Sequence, residues 1–124
     1  MAVQPSTITN PGSANSLKLV TWTALTQTGL DSGTPFQFAD WADRAVQVSG
    51  TFGVGGSVLL EGSNDGVNWA TVNDTTNNPI VLTAAGIKQM NETPLFVRPR
   101  VTAGDGTTAI VVSILARRVV QINV

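Results

Sequence analysis

Apolar residues in the stretch 45–52 recur at every second position. Val46, Val48 and Phe52, with Gly50, fall on one side of an extended chain, while Gln47, Ser49 and Thr51 fall on the other. A period of two belongs to a strand with one face on a core and one on water. The same reading extends to 17–25, 57–62, 69–72, 80–83, 95–102 and 107–118, with 34–38 as a candidate eighth strand. These runs are punctuated by Gly, Pro and Asn-Asp-Gly at the spacing of roughly 8 to 12 residues that marks a sandwich or barrel. The expected fold is all-β: a single-domain antiparallel β-sandwich, jelly-roll-like or barrel-like, of about 7–8 strands. Helix has little to work with. The segments 39–44 and 84–90 can each form one helical turn, with Asp40 and Thr83 as N-caps, but both are too short to stand without tertiary support.

Turn chemistry orders these strands. Gly53-Val54-Gly55-Gly56 supplies the positive φ of a hairpin turn, Asn64-Asp65-Gly66 links the next two strands, and Gly104-Asp105-Gly106 links the last two. Residues 45–72 therefore read as a three-stranded meander and 95–118 as a hairpin. Pro99 cannot donate a ladder hydrogen bond, which predicts an edge position or a bulge there. Ahead of the strands, residues 1–16 are rich in Pro, Ser, Thr, Asn and Gly, with Val3 and Ile8 as the only sizeable apolar side chains. That is too little local packing to offset about 1–2 kcal/mol of ordering entropy per residue. The segment 1–16 reads as an extended arm, ordered by lying on a neighbour, and 17–124 as the sandwich domain.

Composition narrows function. Charged residues make up 12 % of the 124 residues, about half the ordinary share of roughly 25 %, while the hydrophobic fraction is 42 %. The chain has no His and no Cys. It therefore lacks the side chains on which most zinc sites, Cys nucleophiles and Ser/His catalytic pairs depend, and no disulfide can form. No catalytic, metal or cofactor site is expected. A net charge of -1 gives no general basic field for nucleic acid. The start Met1-Ala2-Val3-Gln4-Pro5 is unlike a signal peptide, and the longest nearly apolar run, 109–116, falls far short of the roughly 20 residues of a membrane span. The expectation is a soluble protein made in the cytoplasm, with neither membrane nor nucleic acid as partner.

Three groups of residues stand out. The segment from Glu61 through Asn64, Asp65, Gly66 and Asn68 to Trp69 invites a calcium loop or a sugar site with Trp69 as stacking platform. Calcium usually takes six to eight oxygens, and Asp65 is the single carboxylate of the loop. The residues favour a tight turn in which Asn64 and Asp65 bond nearby amides and Trp69 packs in the core. Arg98 and Arg100, two apart on a strand, share a face with Phe96 and Thr102. With Arg117 and Arg118 they place four of the seven cations in one expected hairpin, where an arginine pair can clasp a carboxylate on a partner subunit. Trp22 and Trp41, with Phe36 and Phe38, read as core or inter-subunit packing. Asp31, Asp40 and Asp43 lie in or beside loops, with no nucleophile and base around them.

The run 44–118 resembles small structural proteins of tailed bacteriophages, of the capsid decoration (cement) type. The resemblance is carried by the strand 45–52, the Glu61 to Trp69 turn and Leu82-Thr83-Ala84-Ala85-Gly86-Ile87. It continues in Val97-Arg98-Pro99-Arg100-Val101-Thr102, leading through Gly104-Asp105-Gly106-Thr107 to Leu115-Ala116-Arg117-Arg118. It implies a non-enzymatic virion protein on the capsid surface. Such a protein binds the major capsid protein in many copies and associates with itself, as a homotrimer, using avidity in place of strong single contacts. The expected partner-interface residues are Val3, Ile8, Arg98, Arg100, Arg117 and Arg118. The Ser63-Asn64-Asp65-Gly66 turn with Trp69 is also similar to the strand connection of discoidin-like carbohydrate-binding sandwiches. The alternative is therefore a glycan-binding adhesion module of a phage tail or fibre.

Overall fold

The computed structural model describes residues 3–11, 16–27, 31–37 and 41–118. Its strands form two sheets. Sheet 1 runs β1 (Val3–Gln4), β4 (Ser32–Gly33), β10 (Phe96–Ala103) and β6 (Ser57–Ser63), with β7 (Ala70–Thr71) and β8 (Val81–Leu82) both paired to β6. Sheet 2 runs β2 (Thr7–Thr9), β3 (Leu17–Thr26), β11 (Ala109–Arg117), β5 (Asp43–Thr51) and β9 (Gly86–Gln89).

Alternation builds the core. Val20 and Trp22 of β3, Val46 and Val48 of β5, and Ile110, Val112 and Ile114 of β11 turn inward from sheet 2, and all are buried. They meet Val58, Leu60, Val97 and Val101 of sheet 1, joined by Phe36, Val72 and Ile80. At about 1.5–3 kcal/mol for each fully buried aliphatic side chain, this contact outweighs any single polar interaction in the molecule. The domain is a sandwich, not a barrel. Taking β7 and β8 together as one strand and leaving out β1 and β2, the eight principal strands follow the order 1-8-3-6 in sheet 2 and 2-7-4-5 in sheet 1. That is the jelly-roll arrangement.

In this topology nearly every connection changes sheet. The expected 45–72 meander holds only between β6 and β7, which pair antiparallel across the Asn64-Asp65-Gly66 turn. The glycines at 53–56 carry the chain from β5 in sheet 2 to β6 in sheet 1, and residues 104–108 carry it from β10 to β11. The expected 95–118 hairpin is thus a second crossover. The two crossovers are bonded together: the Val54 amide donates to Asp105 Oδ2 at 2.8 Å, and the Thr108 hydroxyl donates to the Phe52 carbonyl at 2.7 Å. The Asp105 amide donates in turn to Thr108 Oγ1 at 2.9 Å. Gly53 sits at φ +70° with its hydrogen against the Asp105 carboxylate, so a side chain there is excluded both by the backbone and by the neighbour.

The strand count is eleven among the described residues. The additions are β1, β2, β4 and β9, all short. Residues 84–90 form no helical turn: β9 pairs with β5 from Ala45↔Gln89 to Val48↔Gly86, and these ladder bonds outcompete a single unsupported helical turn. Likewise Asp43 and Arg44 begin β5 instead of ending a helical turn, while Asp40 lies outside the described residues. The candidate strand 34–38 reduces to one bridge, Phe36↔Val97, with Phe38 outside the described residues. Pro99 is on an interior strand. The amides of Val97 and Val101 donate to Phe36 and Asp31, so the missing Pro99 donor faces the same way, where Gly33 of the two-residue β4 packs close against Pro99 and Trp22. The ladder to β6 stays whole, and its register shift falls between Val101 and Ala103.

Residues 3–9 of the expected arm find their neighbour in their own domain. Val3–Gln4 lies parallel to β4 at the edge of sheet 1, and Thr7–Thr9 lies antiparallel to β3 at the edge of sheet 2. The crossing covers both sheet edges on that flank, a standard protection against edge-to-edge association. The Gln4 carbonyl accepts from both the amide and the hydroxyl of Thr34, and Gln4 Nε2 donates to Asp31 Oδ2 at 2.9 Å.

Thr108→Val keeps the shape of a buried side chain but deletes the hydroxyl's bond across to Phe52 and the bond it accepts from the Asp105 amide, leaving the Val54–Asp105 bond in place. The expected loss is about 1–3 kcal/mol, read as a lower urea midpoint with unchanged m-value. An unchanged midpoint would mean that the Thr108 hydroxyl contributes nothing to holding the two crossovers together.

Candidate functional site

Arg98 and Arg100 stand side by side on the outer face of sheet 1 because β10 alternates, with Val97, Pro99 and Val101 buried on the other side. The register places Glu61 of β6 directly opposite Arg98. Glu61 Oε1 receives both guanidiniums, Arg98 Nε at 3.1 Å and Arg100 Nε at 3.2 Å. Its side chain is only 9 % exposed, so the ion pairs are partly withdrawn from solvent. Trp69, which follows the turn that returns the chain from β6 to β7, lies half-buried with its ring centroid 3.9 Å from the Arg98 guanidinium carbon. Trp69 is therefore not a core residue as expected; it is the platform that fixes Arg98, a contact worth about 0.5–2 kcal/mol. Two guanidiniums share one carboxylate, which leaves one surplus positive charge. Each guanidinium carries five donors in a rigid fork, more than Glu61 can accept, so the pair is preorganised for an oxyanion from outside.

The turn beside this cluster is organised by Asp65. Its carboxylate accepts from the amides of Val67 and Asn68, from Asn68 Nδ2 and from the Ser63 hydroxyl, at 2.7–2.9 Å. These bonds, the Asn68 amide foremost, hold the Asp65 carboxyl well below the usual carboxylate range. The Asn64 side-chain oxygen accepts from the Leu95 amide at 3.0 Å, tying the turn to the start of β10. Asn64 and Asp65 thus bond nearby amides as expected, and no three metal-ligating side chains come together among the described residues. Between this turn and residues 92–94 lies an open cleft of about 430 Å³, bordered by Ser63, Asn64, Asn68, Thr71, Thr93 and Pro94.

The other expected interface residues are dispersed. Because β10 and β11 belong to different sheets, Arg117 is not beside Arg98 and Arg100. It pairs with Asp43 on sheet 2, Nη2 to Oδ2 at 3.1 Å, and is 65 % exposed. Arg118 lies 4.2 Å from the Trp41 ring centroid, which also has the Lys18 ammonium at 5.5 Å. Val3 and Ile8, on the arm strands, are 59 % and 48 % exposed. Trp22, Trp41 and Phe36 are all in the core, and the Trp22 indole donates to the Thr34 carbonyl at 3.1 Å.

Two charged residues have roles that the sequence reading missed. Glu61 emerges as the hub of the arginine pair, which becomes visible only once β6 is set in register with β10. Arg44 is buried at the head of β5, donating to the carbonyls of Trp41 and Pro94 and lying 5.5 Å from the Phe36 ring centroid. Burial pushes its guanidinium below the usual value. The parity of Arg44 with Val46 and Val48 was the available signal, since extending that strand by two residues puts position 44 inside.

No protein-family model matches the chain, and no curated protein matches it at a significant level.

Further carboxyls, like Asp65, are held below their ordinary range. In Asp74 the Thr76 hydroxyl is the main cause, helped by the Asn78 amide, and the value is lowered to about 2. In Asp105 the Thr107 hydroxyl and the Val54 amide lower it to about 2. In Asp31 burial pushes upward, but bonds from the amide and hydroxyl of Thr26 and from Gln4 outweigh it and leave the carboxyl lowered. A depressed folded value means stability that is fully present above the unfolded value, about 3.9, and lost as pH falls through the folded one. The urea midpoint should therefore hold between pH 7 and 5 and fall steeply from about pH 4 towards 2. A flat profile down to pH 2.5 would contradict these assignments.

Proposed function

We propose that this chain is a structural virion protein that binds the assembled capsid of a tailed phage as a decoration protein and stabilises it by contacts between subunits. The observation that carries the reading is the arginine pair: Arg98 and Arg100 are gathered by one carboxylate, Arg98 is braced by Trp69, and both retain surplus donors on the outer face of sheet 1, with side chains 18 % and 31 % exposed. This arrangement suits a carboxylate presented by the major capsid protein, because the side-chain entropy of both arginines is spent before the partner arrives. Val81 of β8 extends the same face as an exposed apolar neighbour, through Leu59 opposite Arg100. The jelly-roll order of strands is compatible, since it recurs in capsid proteins, but the same order also serves lectins, so fold carries little weight alone.

The glycan-binding alternative draws on Trp69 and the Asn64 to Asn68 loop. Arg98 occupies one face of the Trp69 ring, and Asp65 spends its oxygens on the turn itself. The polar groups a sugar needs are largely engaged, and we prefer shell binding for that reason.

The direct test is copy number in purified particles of the phage or prophage that encodes the chain. Decoration requires hundreds of copies per particle; a handful, or none, would overturn the proposal. Replacing both arginines by Ala would strand Glu61 in a partly buried site, so the informative variant is Arg100→Gln, which leaves Arg98 on Glu61. It should weaken co-sedimentation with undecorated shells by about tenfold, roughly 1.4 kcal/mol, while the urea midpoint stays close to that of the unaltered protein. Undiminished binding would remove the clasp.

A further inference from the structure

We infer that the outer face of sheet 2 is a self-association surface on which a second copy of this chain packs face to face. The register fixes what this face presents. One transverse row is Thr9, Leu19, Leu115, Ala45 and Gln89; the next is Thr7, Thr21, Ser113, Gln47 and Ile87. Among the described residues every side chain in these rows is uncharged. Leu17 and Val111 continue the aliphatic stripe on β3 and β11, with Leu115 38 % and Ile87 67 % exposed. Among the described residues the only charges on the face are Asp43 and Arg117, adjacent at one end and paired to each other. Sheet 1 presents the opposite character, with three ionised side chains at the centre of its outer face.

Three features favour a second copy as occupant. The first is area: strands of three, ten, nine, nine and four residues lying about 4.8 Å apart give a face of roughly 570 Å², so two copies bury about 1,100 Å², above the roughly 1,000 Å² that a specific interface needs. The second is charge. A two-fold axis in the plane of the face, running along the strands between β11 and β5, sets Arg117 of one copy opposite the Asp43 of the other and opposes no like charges. The third is shape: a depression of about 240 Å³ bordered by Asp43, Ala45, Gln89, Leu115 and Arg117 indents this end of the face. It can receive an aliphatic side chain from a partner related by such an axis. Packing of two sheets at the aligned angle buries such faces routinely.

This inference names a face for the self-association within the proposed function, and it stands or falls without shell binding. A face-to-face pair is a dimer, whereas the resemblance implies a trimer, so solution mass separates them. The experiment is sedimentation equilibrium of the full chain at micromolar concentration. The unaltered protein should give twice the chain mass. Leu115→Lys, at an exposed position, should return it to the chain mass with an unchanged urea midpoint extrapolated to low protein concentration. Should that variant fold poorly, Arg117→Asp, which opposes like charges across the same axis, should give the same loss. A monomer, a trimer, or a dimer untouched by both variants would overturn the inference. So would a monomer whose shell binding disappears with Leu115→Lys, because that result would give the face to the capsid.

Discussion

Two sheets with one apolar face each must bury those faces against one another, and almost everything else in this molecule follows from that contact. The jelly roll meets the requirement by sending the chain from one sheet to the other at nearly every connection, so that the inward residues of β3, β5 and β11 join those of β6 and β10 in one core. Long-range pairing on this scale costs loop-closure entropy before it is rewarded. The bonds between the two crossovers, Val54 to Asp105 and Thr108 to Phe52, fix both chain passages in one step. The arm supplies a comparable tie on the flank where β3 and β4 would otherwise leave edges bare.

The scarcity of charge then acquires a structural meaning. Asp65, Asp74 and Asp105 each accept from amides and hydroxyls of their own or adjoining loops, and Asp31 accepts from Thr26 and from the arm. Glu92 accepts from the amide of Asn73. These carboxylates serve as loop organisers in a fold whose connections, among the described residues, contain no helix, because one carboxylate satisfies several backbone donors that would otherwise seek water. Glu61 differs: its partners are two cations on a sheet face, and among the described residues the resulting cluster is the one place where ionised groups meet across strands in sheet 1.

The alternation that reveals β3, β5, β6, β10 and β11 is a local property, and it was legible because side-chain direction in a strand depends only on parity. The sheet to which each strand belongs is not local. Gly53 to Gly56 and Gly104 to Gly106 have the chemistry of tight turns, and they do turn, but a sharp corner between sheets and a hairpin within one ask for the same residues. Hence both carry the local signature of hairpins, and the sequence alone groups Arg98 and Arg100 with Arg117 and Arg118, from which the topology separates them. The place of Trp69 is hidden from the sequence for a related reason. An aromatic residue just after a turn fits a core as well as it fits a cation on the sheet surface, and the Arg98 that decides the matter is distant in sequence. The strands β1, β2 and β4 are so polar and short that their order comes wholly from neighbours, which no periodicity can announce.

The same topology governs how the two outer faces can be used. They lie on opposite sides of a sandwich whose sheets pack about 10 Å apart, so a partner on one does not obstruct a partner on the other. Their chemistries also differ in a way that suits different partners. A neutral stripe centred on Leu19, Leu115 and Ala45 gains from contact with any surface of similar shape and loses nothing to unpaired charge, the condition for a self-complementary face. The Arg98 and Arg100 pair would meet its own copy unfavourably, since two surplus positive charges would be opposed, whereas an acidic surface would complement it. A pair of chains joined through sheet 2 would therefore present two arginine clasps pointing away from each other, linking two acidic sites on separate bodies. If the proposed shell binding holds, a curved shell would engage one clasp per pair and leave the other outward. If shell binding draws on both clasps of an oligomer, the copies must meet through some surface other than the sheet 2 face, so the position of the self-contact and the valency of attachment constrain each other.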